Sequence, residues 1–394
     1  MTLELNQIAP QVEAMGQSLD RQNQERQAKI QEAKALLKQV ATAFDDLEMR
    51  INRAEQVQEA VRFGWLGAAP AGEPLDRYFS EPPGPEKITV IASDGSQIHP
   101  DRHAVALYYL VNVGAIVYQH GGHTPPEVFS TPSLYYKEED LLDEGGLLIP
   151  ASVVNVKRDL GELEVLAALV TTQTNQGQPV LAMVDGRLTL RTIDLPGRQQ
   201  KAYESQYLGY LNQIHQAGAT IAAYIDKPHS SFIMALLQLA KLPPDKIDED
   251  TLRQNPFFGL IDAHLFDDLG PGQRTALFNQ RAKANIEYDR AGHRVHFFYL
   301  NTGNADRPNL VRVEIPGWVA KDAEKLNMLH ATLLRQARLA GGYPYALARA
   351  HELAIIPSGE REALETMLAV SLRRQGQAAE VSRKQHNKNL LGNG

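Results

Sequence analysis

Apolar and polar positions follow two different periods along this chain of 394 residues. Residues 1–63 are strongly polar, and their apolar positions recur at spacings of three and four, which predicts a helical arm with one narrow apolar stripe. The positions of this stripe are Ile30, Ala33, Leu37, Val40, Phe44 and Leu47. We expect the arm to pack on the body of the protein or on a second subunit. Residues 64–87 are rich in glycine and proline, which predicts a linker.

From residue 88 onward, short apolar runs rich in β-branched residues alternate with amphipathic stretches. This alternation predicts three strands, a helix, a strand, a helix, a strand and a helix. The predicted strands are 88–96, 104–118, about 128–136, 178–188 and 220–228, and the predicted helices are about 152–174, about 199–217 and one from about 230. This is the element order of an RNase H-like α/β domain, a mixed sheet flanked by helices. In that topology the first and fourth strands are neighbours at the centre of the sheet.

The rest of the chain completes the predicted domain. Residues 240–290 are polar and weakly periodic, which indicates an inserted subdomain. Further strands are predicted at 293–302 and 310–318, and further helices at about 322–340, 345–354 and 359–375. We therefore expect one domain over residues 88–375, followed by a polar tail at 376–394.

Composition restricts the chemistry that this domain can carry. The chain has no cysteine, so any metal must bind to carboxylates, imidazoles, carbonyl oxygens and water. Its net charge of −7 counts mildly against nucleic-acid binding, although a local positive groove matters more than the total. No apolar run is long enough for a membrane span, and the N-terminus lacks the pattern of a signal peptide, so we expect a cytoplasmic protein without membrane contact.

Two aspartates carry the strongest chemical signal. Asp94 and Asp185 each end a predicted strand and each precede a glycine, which lets the chain turn without covering the carboxylate. Two neighbouring carboxylates repel each other, and a divalent cation resolves that repulsion. A pair of cations ~3.5–4 Å apart can activate water and stabilise the leaving oxygen in phosphodiester cleavage. A single Asp-Gly pair is also a common turn, but two on adjacent strands favour a metal site.

Four other residues are candidates for the same site. The predicted helix between the two aspartates offers Glu162 and Glu164, and their spacing does not choose between them. Lys227 lies at the end of the next predicted strand and could meet a phosphate, or it could be an ordinary surface lysine. His351 lies eight residues after Tyr343 in a predicted helix, where a single histidine is more often part of the core.

Five motifs, in this order, make the chain similar to the NurA nucleases: IASDGS, LAMVDGRL, YIDKP, VRVEIPGW and GYPYALARAHELAI. The resemblance covers about residues 88–390. It implies an RNase H-like fold and a Mn²⁺- or Mg²⁺-dependent nuclease with single-strand endonuclease and 5′-to-3′ exonuclease activity. It also implies a role in DNA end processing and double-strand break repair, a homodimer, and a HerA-like hexameric ATPase as partner.

By resemblance, Asp94 and Asp185 are metal ligands, His351 is the C-terminal histidine of the site, and Tyr343 is its functional tyrosine. The glutamate of the family falls on Glu162 or Glu164. The pattern of an arginine followed by Glu-Leu favours the first, and the shorter distance to the second aspartate favours the other.

Four basic residues follow the second aspartate and could line a groove for single-stranded DNA or duplex ends: Arg187, Arg191, Arg198 and Lys201. A solvated start of a helix explains them equally well. The leading hypothesis is thus a metal-dependent DNA nuclease. The alternatives are a DNA-repair scaffold of the same fold that has lost activity, and an RNase H-like nuclease directed at RNA.

Overall fold

The computed structural model describes residues 5–60, 65–143, 145–174, 177–192, 195 and 197–376. The expected polar tail lies outside the described residues from position 377 onward. The strands are β1 (Gly67–Pro70), β2 (Ile88–Ile98), β3 (Tyr109–His120), β4 (Glu127–Tyr135), β5 (Val180–Asp185), β6 (Thr220–Ile225), β7 (Phe278–Arg281), β8 (Val295–Asn301) and β9 (Leu310–Pro316). The helices are α1 (Leu5–Gln39), α2 (Phe44–Ala60), α3 (Glu138–Leu141), α4 (Ala151–Gln173), α5 (Gly197–Gln216), α6 (Phe232–Lys241), α7 (Glu249–Arg253), α8 (Lys283–Arg290), α9 (Gly317–Ala320), α10 (Ala323–Leu339), α11 (Tyr345–Ala354) and α12 (Ser358–Arg374).

The described residues form two compact units, and these divide the chain differently from the domains expected above. The first unit combines the described residues of Met1–Pro82 and Ile225–Asp322, and the second combines those of Pro83–Tyr224 and Ala323–Gly394. The segment that was expected as an insertion therefore belongs to the same unit as the N-terminal helices. Within the described residues, no helix has the length and apolar character needed to cross a membrane.

The first unit contains an antiparallel ladder of four strands in the order β1-β7-β8-β9. The apolar stripe predicted for the arm packs in the core of this unit, with Phe44 partly buried, and α1 and α2 both contact α6. The expected linker also contributes to this core, because β1 pairs with β7 and Ala68, Ala69 and Leu75 are fully buried.

The second unit contains five strands in the order β4-β3-β2-β5-β6. β2 pairs antiparallel with β3 and parallel with β5, while β3 pairs antiparallel with β4 and β5 pairs parallel with β6. Helices α4 and α11 both contact β2 and β3. This is the strand order predicted from the sequence, with the first and fourth strands of the domain side by side, and the mixed α/β fold class is confirmed.

Candidate active site: carboxylates on two neighbouring parallel strands

Asp94 and Asp185 lie next to each other at one edge of the second unit. In the parallel ladder of β2 and β5, Ser93 stands opposite Val184, so the next residue on each strand is one of the two aspartates. The carboxyl ends of neighbouring parallel strands form the usual ligand-binding edge of an open α/β sheet. The strand order therefore places the two predicted carboxylates side by side. Asp185 ends β5 as expected, but Asp94 lies within β2, which continues to Ile98 because it stays paired with β3 after its pairing with β5 has ended.

The glycine after each aspartate is required for a different reason. Gly186 has a φ of 88°, in the left-handed region that residues with a side chain rarely adopt. Gly95 lies against α4, where an added Cβ would be 2.5 Å from Glu162 Oε1 and 2.6 Å from Arg158 Cγ. Gly186 makes the turn after β5. Gly95 lies within β2 and makes no turn, contrary to the expectation; its missing side chain lets side chains of α4 approach Asp94.

Helix α4 presents two carboxylates and one arginine to this edge of the sheet. Residues three and four apart share a helix face, so Arg158 and Asp159 lie one turn before Glu162. The guanidinium of Arg158 is 2.6 Å from Asp159 Oδ1 through Nη2 and 3.1 Å from Glu162 Oε1 through Nε. These residues line the same cleft as Asp94 and Asp185.

The two glutamates that the sequence could not separate face different surroundings. Glu162 is only 9% exposed and lies in the cleft. Glu164 is exposed, and its carboxylate is hydrogen-bonded to Tyr210 of α5. The structure therefore places Glu162, and not Glu164, beside the two aspartates.

Helix α11 brings His351 to Asp94. The imidazole Nδ1 is 2.6 Å from Asp94 Oδ2, and the histidine side chain is 62% exposed, so it opens onto solvent rather than the core. The end of the helix is fixed from the sheet, where the Asn112 side chain on β3 donates to the carbonyl oxygens of Leu353 at 3.2 Å and Ala354 at 2.9 Å.

Tyr343 precedes α11 instead of forming its first turn, because the helix begins only after Pro344. Its hydroxyl hydrogen-bonds to the carboxylate of Asp185, and its ring packs edge-on against Tyr224, with the ring centroids 5.3 Å apart. Burial and the charge of Asp185 raise the pKa of the Tyr343 hydroxyl, so it remains a protonated donor at neutral pH.

The carboxylates of the cleft repel each other. Burial, and then the charge of Asp94, raise the pKa of Asp185. Burial, and then the charge of Asp159, raise the pKa of Glu162 well above its ordinary value, with Arg158 acting in the opposite direction. Burial also raises the pKa of Asp159 against the pull of Arg158. Burial is thus the largest cause of all three shifts, and neighbouring carboxylates add to it.

The family model of the NurA domain matches residues 88–356, which is more than half of the chain. The chain belongs to the NurA domain family. This membership supports a nuclease, a hydrolase of phosphodiester bonds, and it confirms the resemblance carried by the five motifs. No curated protein matches the chain.

Three solved structures match the chain at low similarity. The NurA nuclease from Sulfolobus solfataricus is 12% identical, with 86% of this chain and 96% of that chain covered and a TM-score of 0.48. Human endonuclease V (catalytic domain) is 14% identical, with 71% and 84% covered and a TM-score of 0.30. Drosophila Piwi is 11% identical, with 67% and 29% covered and a TM-score of 0.29. At these values the similarities say nothing about what this chain binds or cleaves.

The donor groups of this NurA domain suit a hard divalent cation. Carboxylate oxygens and water are the ligands that Mg²⁺ and Mn²⁺ prefer, and an imidazole is acceptable to the second of these ions. Asp94, Glu162, Asp185 and His351 supply such donors, and their mutual repulsion would be relieved by the ion. Nowhere in the described ranges do three His, Asp or Glu side chains converge closely enough to hold an ion as they stand. The residues fit by chemistry, and binding would have to draw them together.

The remaining candidates from the sequence divide into three groups. Arg187 and Arg191 line the cleft. Arg198 and Lys201 are exposed on α5 and are not among its lining residues. Lys227 is exposed, has a φ of 47° in the turn after β6, and belongs to the first unit.

Two residues of the cleft were missed by the sequence analysis, namely Arg158 and Asp159. Counting back one helical turn from Glu162 gives both of them, so the signal was present in the RDLGE motif. It could be used only once Glu162 had been chosen over Glu164, and that choice depends on the packing of α4.

Proposed function

We propose that this NurA-domain protein is a divalent-metal-dependent DNA nuclease that cleaves single-stranded DNA and processes duplex ends in double-strand break repair. The observation that carries the proposal is the pair of aspartates on adjacent parallel strands, with Glu162 in the same cleft and His351 hydrogen-bonded to Asp94. The family supports nuclease activity, and the dependence on metal rests on this set of donors.

The proposed ligands are Asp94, Asp185, Glu162 and His351, with Mn²⁺ or Mg²⁺ as the ion. When bound, one or two such ions supply an activated water and stabilise the negative charge that develops on the phosphate. His351 donates from Nδ1 to Asp94, which leaves Nε2 as the nitrogen that can bind an ion or accept a proton. The Tyr343 hydroxyl holds the Asp185 carboxylate in one orientation.

Substrate binding is proposed for the basic side chains around the cleft. Arg187 and Arg191 line it and can meet the phosphates that flank the scissile bond, while Arg198 and Lys201 can extend the contact along α5. A homodimer, a HerA-like hexameric ATPase as partner and a cytoplasmic location remain proposals that rest on the family resemblance and on composition.

The test is cleavage of a single-stranded oligonucleotide labelled separately at its 5′ and 3′ ends, in Mn²⁺, in Mg²⁺ and in EDTA. We expect the wild type to cleave only with a divalent ion and Asp94→Asn to be inactive. Asp306→Asn, at an exposed loop position of the first unit, is the matched control and should cleave like the wild type.

The same assay separates the alternatives. A wild type that cleaves nothing with any divalent ion would refute the nuclease and favour an inactive scaffold. Faster cleavage of a matched RNA oligonucleotide would overturn the choice of DNA. The products from the two labels show whether cleavage is internal or proceeds from the 5′ end.

A further inference from the structure

The guanidinium of Arg158 lies among the carboxylates of the cleft. Its Nη2 and Nε donate to Asp159 Oδ1 at 2.6 and 3.1 Å, and its Nη1 donates to Gln97 Oε1 at 3.3 Å. Its Nε is also 3.1 Å from Glu162 Oε1. The Arg158 side chain is only 30% exposed, so these charges interact partly out of water.

The contacts of Arg158 are of two kinds. Asp159 and Gln97 accept its hydrogen bonds, and Gln97 is itself fixed because its Nε2 donates to Asn155 Oδ1 at 3.1 Å. Glu162 meets the guanidinium as an ion pair, through an Nε that already donates to Asp159. The guanidinium is therefore anchored by two acceptors other than Glu162.

A cation bound by Asp94 and Glu162 would lie close to this guanidinium. The absence of a side chain at Gly95 lets Glu162 Oε1 and the stem of Arg158 lie directly on the backbone that follows Asp94. A divalent cation that binds Glu162 there must do so within a few ångströms of a fixed positive charge. The attraction of the ion to the carboxylates is then opposed by repulsion from Arg158.

We propose that Arg158 is the internal counter-cation of this cleft: it offsets the charges of Asp159 and Glu162 in the metal-free protein, and it weakens metal binding by competing for Glu162. The proposal rests on the metal site proposed above. It assigns Arg158 as a positioning residue that sets the metal affinity of the site, so that the ion binds and leaves readily.

The test uses the full chain and Mn²⁺ alone, without DNA. Binding is measured by titration calorimetry, and the melting temperature is measured in EDTA and in Mn²⁺. For Arg158→Gln we expect Mn²⁺ to bind about ten-fold more tightly, because a nearby positive charge has been removed. We also expect a lower melting temperature in EDTA and a larger rise on adding Mn²⁺, because the repulsion among the carboxylates is no longer offset.

Two further variants separate charge from shape. Arg158→Lys keeps the positive charge, so its affinity for Mn²⁺ should stay within about two-fold of the wild type. Arg373→Gln removes an exposed arginine from α12 and controls for net charge. If Arg158→Gln does not fold, Arg158→Met, which keeps the apolar stem, is measured in its place.

Saturable Mn²⁺ binding by the wild type, with equal or weaker binding by Arg158→Gln, would overturn the inference and leave the proposed function standing. Tighter binding by Arg158→Lys to the same extent would also overturn it, because the charge would then be irrelevant. A wild type that shows no saturable Mn²⁺ binding would refute the metal site itself, and the inference with it.

Discussion

Glu162 and Glu164 are two positions apart on α4, which turns their side chains about 200° away from each other around the helix axis. Only one of them can therefore face the cleft. Packing decides which, because Glu162 is buried beside Asp94 while Glu164 is exposed beside Tyr210. Proximity in the sequence says little about proximity to the site.

This difference gives a paired prediction. Glu162→Gln should reduce Mn²⁺-dependent cleavage about 100-fold or more, because it removes a charged donor from the cleft. Glu164→Gln should cleave within about two-fold of the wild type, since its side chain points elsewhere. Initial rates at saturating Mn²⁺ measure the effect, and melting curves show whether both variants fold. A loss of activity in the Glu164 variant alone would contradict this assignment.

At the scale of residues, the sequence could predict those site residues that the pattern of a single strand locates. Asp94 and Asp185 were found because each ends an apolar run. Arg158 and Asp159 were not, because an amphipathic helix shows which positions are apolar but not which element its polar edge will meet.

His120 shows how a buried polar contact fixes a protonation state. The Gln336 carbonyl oxygen accepts from the backbone N–H of Ala346 at 2.8 Å, so its amide N–H₂ faces His120 Nε2 at 2.7 Å. That nitrogen must be unprotonated to accept the hydrogen bond. Burial, and then the charge of Arg335, lower the pKa of His120 to about 4. The contact joins β3, α10 and the start of α11.

We predict a loss of stability at acidic pH from this histidine. The folded protein holds His120 neutral, while the unfolded chain protonates it near pH 6.5. Its contribution is therefore fully present above pH 6.5 and is lost as the pH falls toward about 4. The melting temperature of His120→Gln should fall less steeply over this window than that of the wild type. His123→Gln, at an exposed position, should keep the wild-type slope; equal slopes in all three proteins would exclude a role for His120.

At the scale of elements, the contact between α11 and β3 determines where His351 lies. Gly114 on β3 faces the backbone of the helix so closely that an added Cβ would be 2.4 Å from Ala350 O and 2.4 Å from Ala354 N. Backbone atoms cannot move aside as a side chain would. The glycine therefore allows the close approach that brings the helix, and with it His351, to Asp94 on β2.

Gly114→Ala should push α11 away from the sheet. We expect a loss of stability of about 3 kcal/mol from overpacking, together with reduced cleavage because His351 moves relative to Asp94. Gly209→Ala is the control, since this glycine lies in α5 with open space around its Cα, and it should stabilise the helix by about 1 kcal/mol. Denaturant unfolding measures both changes. A Gly114 variant as stable and active as the wild type would show that the helix does not depend on this contact.

Most elements of the second unit could be predicted from the sequence, because their apolar runs are long and have a clear period. The short strand β1 of the first unit could not be predicted in this way. Its sequence, GAAP, has small residues and a proline, which is typical of a linker, and its pairing with Phe278–Arg281 depends on residues about 200 positions away. A strand that forms mainly because of its pairing partner has almost no recognisable pattern in its own sequence.

At the scale of the whole molecule, the division of the chain into units also depends on contacts between distant segments, which a local pattern does not reveal. The sequence predicted one continuous domain from residue 88 to 375, whereas the described residues of Ile225–Asp322 form a unit with the N-terminal segment. The ion pair between Glu73 and Arg274, at 2.9 Å, is one of the contacts that join these distant segments. Periodicity identifies buried faces, but it does not say which faces meet.

The net charge of −7 makes a prediction about DNA binding, because an acidic protein must bind phosphates through a local group of basic side chains. Arg191 lines the same cleft as Asp185. Arg191→Gln should therefore weaken the binding of single-stranded DNA. It should also reduce the slope of log K against log salt by about 0.7, the value for one lost phosphate contact. Fluorescence anisotropy in EDTA, over a range of salt concentrations, measures both quantities without cleavage. Arg373→Gln removes the same charge from an exposed position on α12 and should leave the slope unchanged. If both variants lowered the slope equally, the binding would follow total charge, and the cleft would not be the DNA site.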